Sequence, residues 1–206
     1  MKRILGVFLF IFFMSINSFA FAAPTFNAST GSINTPSADV MTKDQISIGF
    51  YNLHGSRNVG IAIVGLTSKI ELGFRRNVYS HSNDNTFSVK YAMKKENITK
   101  PGLAIGFEQG TGDDGDSFYV VASKRLIWGI RMHTGIGNNK YRKGFVSLEK
   151  SINNVKFSKK GVSNLILEYD GTHLNYGIRA SVNEKLKFDL GVKKNRGYFG
   201  VSYTKL

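Results

Sequence analysis

Glu71, Arg75, Lys90, Glu108, Arg131, His133, Glu168, Arg179, Lys187 and Asp189 all fall on the polar side of segments in which apolar and polar residues alternate. On a β-strand residues two apart share a face, so alternation of this kind aims these groups into one interior. Mixed charge there has two uses. The groups can pair across strands as a salt-bridged polar filling, or Arg75, Arg131 and Arg179 can form an eyelet that grips a carboxylate or phosphate bidentately. Two further sets carry chemistry by residue type. His81, Ser82 and Asp84 offer a base, a nucleophile and an orienting group for acyl hydrolysis, but sequence neighbours seldom meet in the geometry that catalysis requires. Asp113, Asp114 and Asp116, within a glycine-rich loop, supply hard oxygens suited to calcium. Their spacing is not that of an EF-hand, and the loop reads as a solvated turn. No catalytic residue, metal site or cofactor is therefore assigned.

The elements that must position these residues are strands. Nine times a glycine sits between two large apolar residues, as in Ile48-Gly49-Phe50, Leu72-Gly73-Phe74, Trp128-Gly129-Ile130 and Tyr176-Gly177-Ile178. On a strand such a triplet leaves one face greasy and the other nearly bare. Repeated glycine points to sharply bent sheet or an interior too narrow for side chains. Gly60 and Gly65, five apart on one expected strand, would need a bulge to share a face. Alternation, broken by Gly, Asn, Asp and Ser clusters, predicts strands near 45–53, 57–67, 69–79, 86–94, 102–110, 117–125, 127–136, 144–150, 163–169, 172–182, 185–194 and 197–205. Ser151 to Gly161 is the segment that the pattern defines least. Most of the twelve reach the roughly 9–11 residues that a tilted membrane strand needs, and an even count suits a bacterial barrel. The expected fold is an all-β, antiparallel transmembrane β-barrel of about 12 strands with meander topology. A soluble sandwich or lipocalin-like barrel shares the periodicity; strand length and the Phe-, Tyr- and Leu-rich faces favour lipid outside.

The chain divides into three. Met1-Lys2-Arg3, the apolar run Ile4 to Met14 and the small-x-small site Ala20-Phe21-Ala22 read as a signal peptide over 1–22. Residues 23–44, rich in Ser, Thr, Asn and Pro, form a lead or plug segment, and 45–206 the barrel. There is no cysteine, which excludes disulfides, thiol chemistry and a lipid anchor on cysteine. The charge is +14, or +12 once Lys2 and Arg3 have left. Such an excess favours anionic partners. Expected partners are outer-membrane lipid or lipopolysaccharide, an anionic polysaccharide and the barrel-assembly machinery, with nucleic acid excluded by export.

Two stretches add a resemblance. Gly31-Ser32-Ile33-Asn34-Thr35-Pro36-Ser37-Ala38-Asp39, with Gly31, Pro36 and Ala38 as its fixed points, resembles the opening of YjbH-type outer-membrane proteins associated with exopolysaccharide. Leu167-Glu168-Tyr169-Asp170-Gly171 followed by Asn175-Tyr176-Gly177-Ile178 is similar to a hairpin of that family. The resemblance implies a short, single-barrel relative in the outer membrane, non-enzymatic, acting as a narrow pore or structural component in envelope or exopolysaccharide export. The alternatives are a lipid-modifying outer-membrane acyl hydrolase and a soluble secreted β-sheet binding protein.

Overall fold

The computed structural model describes residues 23–54, 57–77, 85–110, 115–152 and 162–205. The signal-peptide residues, His81, Ser82 and Asp84, Asp113 and Asp114, and most of Ser151 to Gly161 lie outside them. Twelve strands follow in order: β1 (Ile46–Leu53), β2 (Arg57–Gly65), β3 (Ile70–Asn77), β4 (Asn85–Lys94), β5 (Gly102–Gly110), β6 (Ser117–Arg125), β7 (Ile130–Gly137), β8 (Phe145–Ile152), β9 (Val162–Tyr169), β10 (Leu174–Ser181), β11 (Leu186–Lys193) and β12 (Arg196–Lys205). Each pairs antiparallel with the next, and β1 closes on β12 from Ile46↔Lys205 to Leu53↔Tyr198. The result is a closed meander barrel with no free edge. Gln45 and Lys205 lie at one end, here called proximal; β1, β3, β5, β7, β9 and β11 finish at the other, distal end.

The outward face is apolar. Ile48, Phe118, Ile136, Leu190 and Phe199 are among its exposed large side chains, which lie on β1 and on β4 to β12. Inward positions carry small, polar or charged groups, and the inward aromatics explain many of the glycines. Tyr51 lies directly across from Gly200, Tyr119 from Gly106, Tyr198 from Gly191 and Phe145 from Gly135. A Cβ on Gly106 would run into the Tyr119 ring, and one on Gly200 into that of Tyr51. Glycine opposite an aromatic lets the ring lie flat along the sheet inside a narrow barrel.

Two sequence expectations are corrected, the facing of β2 and the extent of strand at Trp128, while Gly60 and Gly65 lie on opposite faces as their spacing requires. β2 turns its apolar side inward, where Val59, Ile61 and Ile63 pack with Phe26, Ala28, Ile33 and Met41. Its interior partner is chain rather than water. Gly60 consequently faces out and Gly65 in, with no bulge in β2; the register shift falls on β4, between Ala92 and Lys94. Trp128-Gly129-Ile130 is not strand throughout. Residues Ile127–Gly129 make a 3₁₀ turn with Trp128 at φ 58° and Gly129 at φ 69°, because the tight β6–β7 link needs left-handed backbone.

Candidate functional site

The barrel interior is occupied by residues 23–41, while Thr42, Lys43 and Asp44 are exposed where the segment leads into β1. This segment has no helix or strand ladder of its own, only two isolated bridges, Pro24↔Thr30 and Gly31↔Pro36. Its turns are closed by Thr25 N–H to the Ser29 carbonyl (2.8 Å), Phe26 N–H to that of Ile33 (2.8 Å) and Ser37 N–H to that of Thr30 (2.9 Å). A buried backbone so irregular must find other partners. The inward side chains of the wall supply them.

Glu168, wholly buried on β9, accepts hydrogen bonds from the N–H groups of Ile33 (2.8 Å), Asn34 (2.9 Å) and Thr35 (3.0 Å) and from the Thr35 hydroxyl (3.0 Å). Asn175 on β10 steadies it with an amide donated to its other oxygen (2.9 Å) and reaches Asp170 as well (3.0 Å). Asp170 also takes the Asn34 amide (2.9 Å). Burial would raise the Asp170 pKa, but the donors Asn175, His173, Thr172 and Asn34 outweigh it and bring the pKa down to about 2. The two stretches that carry the family resemblance, far apart in sequence, thus form one latch.

Glu71 and Lys90 face each other across β3 and β4 and pair at 2.9 Å. Glu71 accepts from Thr30 N–H (2.8 Å) and Met41 N–H (2.8 Å), and Lys90 donates to the Thr30 carbonyl (2.8 Å). Arg179 and Asp189 are likewise cross-strand partners (2.6 Å), and Arg179 also donates to the carbonyls of Gly31 (3.0 Å) and Ser32 (2.8 Å). Arg131 does hold a carboxylate bidentately, but it belongs to the chain: Asp39, at 2.6 and 2.9 Å, with Glu96 added at 3.0 Å. Lys187 is buried near the proximal end, where the charges of Arg179 and Asp189 act on it. Arg75 donates to the Phe26 carbonyl (3.4 Å), and Glu108 receives the Tyr141 hydroxyl (2.7 Å) and lies against Lys140. Pro36 serves in the bridge to Gly31. Ala38 donates its N–H to Ser123 Oγ (2.7 Å).

Sequence reasoning did not assemble Ser123, His133 and Glu149. Ser123 Oγ lies 2.7 Å from His133 Nδ1, and His133 Nε2 is 3.8 Å from Glu149. The residue types match a hydrolytic relay, but Ser123 Oγ is capped by the Ala38 N–H, and Glu149 accepts the Ser32 hydroxyl at 2.7 Å. All three are buried beneath the segment. The set clamps backbone instead of presenting a nucleophile. Cross-strand spacing in β6–β8 carried the signal, since Ser123↔His133 is a registered pair.

Together the wall and its contents define a closed antiparallel barrel whose interior holds a preceding segment of the same chain. The chain belongs to the YjbH family, whose model, described as exopolysaccharide biosynthesis protein YbjH, matches residues 26–190 and so takes in both halves of the latch. The fold is shared with the KdgM porin at 11% identity, covering 79% of this chain and 98% of that one with a TM-score of 0.55. It is shared too with the KdgM porin in complex with disordered oligogalacturonate, at 11% identity, the same coverage and a TM-score of 0.52. No curated protein sequence matches the chain.

Proposed function

We propose that this protein is a non-enzymatic barrel of the bacterial outer membrane, a narrow pore held shut at rest by residues 23–44, serving exopolysaccharide export at the envelope. The outward ring of exposed Ile, Leu, Val, Phe and Tyr supports a lipid setting, since apolar surface on that scale is costly in water. In that setting the proximal end faces the periplasm and the distal end the exterior. The latch carries the reading of a gated pore. Polar wall groups satisfy the segment's backbone without a continuous ladder, so the segment can leave while the wall keeps its own hydrogen bonds. The exopolysaccharide link is supported by the family description, and a channel by the porin fold.

Two measurements test this. The protein should stay with membranes through a carbonate wash and run heat-modifiably on gels. In planar bilayers the full mature protein should be silent, and deletion of 23–44 should give steady conductance. Recovery from the soluble periplasm, or a silent deletion variant that still runs as a folded barrel, would overturn it.

A further inference from the structure

An exposed apolar patch stands at the proximal end. The outward row of β4, which ends in Tyr91 and Met93, leads into the β4–β5 link, where Ile98 is 96% exposed. On the neighbouring hairpin Leu126, Ile127 and Trp128 form the β6–β7 link, and Trp128 is 77% exposed. The two links are stitched together. Lys124 Nζ donates to the carbonyls of Asn97 (2.7 Å) and Ile98 (2.8 Å), the Arg125 N–H to Glu96, and Lys150 to the Trp128 carbonyl. The Trp128 backbone is left-handed at φ 58°, a conformation that a bulky side chain rarely takes. Strain of this kind persists where the surroundings over-determine it, and it collects at functional positions. Charge of one sign rims the patch. Lys94, Lys95 and Lys100 are exposed on or beside the β4–β5 link. Glu96, the one acid on the two links, is taken by Arg131 (3.0 Å) and by the Arg125 N–H.

We propose that this patch is a binding site for an anionic phospholipid of the periplasmic leaflet. Trp128 and Ile98 enter the edge of the acyl layer, and Lys95 and Lys100 hold the headgroup phosphate. Two observations select a lipid over a protein partner. The patch lies at the end of the outward apolar rows of β4 and β6, so it is continuous with the wall that faces hydrocarbon. Its chemistry is also that of a membrane interface, where tryptophan sits at headgroup level and lysine lays its stem on apolar surface with the charge in water. The site is confined to one sector of the rim. The β10–β11 link, at the same end, has no aromatic ring and sets Glu184 beside Lys185. The inference rests on the lipid setting of the wall, which the carbonate wash tests without any particular lipid.

Trp128 is the only tryptophan in the chain, so its fluorescence reports on this site alone. The full mature protein is reconstituted in phosphatidylcholine bilayers with a small, equal fraction of brominated lipid, either phosphatidylglycerol or phosphatidylcholine, whose bromine quenches indole on contact. Brominated phosphatidylglycerol should quench the more strongly, with a preference of about fivefold for each of the two lysines, and molar salt should erase the difference. Lys95→Gln with Lys100→Gln should bring the two lipids level, whereas Lys185→Gln should leave the preference intact. Both replacements lie on a link outside the ladder, and heat-modifiability on gels checks the barrel. Equal quenching by the two lipids in the unaltered protein, a preference that survives the double variant, or its loss in Lys185→Gln would overturn the assignment. So would Trp128 emission that neither lipid quenches in a protein that withstands the carbonate wash, since the patch would then face a water-soluble partner.

Discussion

Replacing Glu168 by alanine should open the plug without opening the wall. The carboxylate receives four hydrogen bonds from the segment: the N–H groups of Ile33, Asn34 and Thr35 and the Thr35 hydroxyl, all between 2.8 and 3.0 Å. Removing a buried acceptor strands its donors, at about 1–3 kcal/mol each. Water can fill part of the vacated space, so the lower end applies. Four donors then cost about 4 kcal/mol, equivalent to about 10³ in the equilibrium between docked and released plug. The Asn175 amide is deprived of a partner as well but keeps Asp170. Hydrogen exchange of the purified protein in micelles reads the change locally. The amides of Ile33, Asn34 and Thr35 should exchange about 10³ faster, while the β9–β10 ladder from Leu174↔Tyr169 to Ser181↔Val162 stays protected. Glu168→Gln, which keeps one acceptor oxygen but turns an amide toward donors, should fall between. A rise below about tenfold at those three amides, in a variant that still runs as a folded barrel, would refute the latch.

Gly73→Val should expel the plug sterically, because even a Cβ at Gly73 overlaps the carbonyl of Ala28 and the Ser88 hydroxyl that binds it; conductance should approach that of the 23–44 deletion, and a silent channel would count against close packing there. Lys90→Met leaves the Glu71 charge buried without its cation, a change that costs about 3–5 kcal/mol; adding Glu71→Gln should recover part of the lost thermal stability, and strict additivity of the two would argue against the pair. Asp170, depressed to about 2 by its donors, stabilises the fold fully above its unfolded pKa of about 4. That contribution fades as pH falls from about 4 through about 2, so Asp170→Asn should flatten this limb of the unfolding temperature measured against pH; a limb of unchanged steepness would contradict it.

The strands, their number and most of their inward faces were legible because period-two alternation is a local signal, set by which side of a pleat each residue takes. Cross-strand pairs such as Glu71–Lys90 and Arg179–Asp189 follow once the register is known. The contents of the lumen did not follow. Residues 23–44 have no periodicity, since their backbone partners are side chains spread around the wall, among them Tyr51, Glu71, Lys90, Ser123, Glu168 and Arg179, and not neighbours in a ladder. For the same reason the facing of β2 was not legible: only the apolar residues Phe26, Ala28, Ile33 and Met41 of the inner segment explain an inward Val59, Ile61 and Ile63.

The sequence by itself determined a chain of twelve antiparallel strands with an apolar and a polar face, and glycines that demand a tight interior. Only the tertiary structure decided what that tightness is for. Gly106, Gly191 and Gly200 make room for tyrosine rings across the strand pair, Gly73 makes room for the plug, and the charged lumen grips a peptide backbone. The physical reason is that alternation records each residue's side of the wall, whereas the fate of a buried donor or acceptor depends on which distant atom comes within about 3 Å of it.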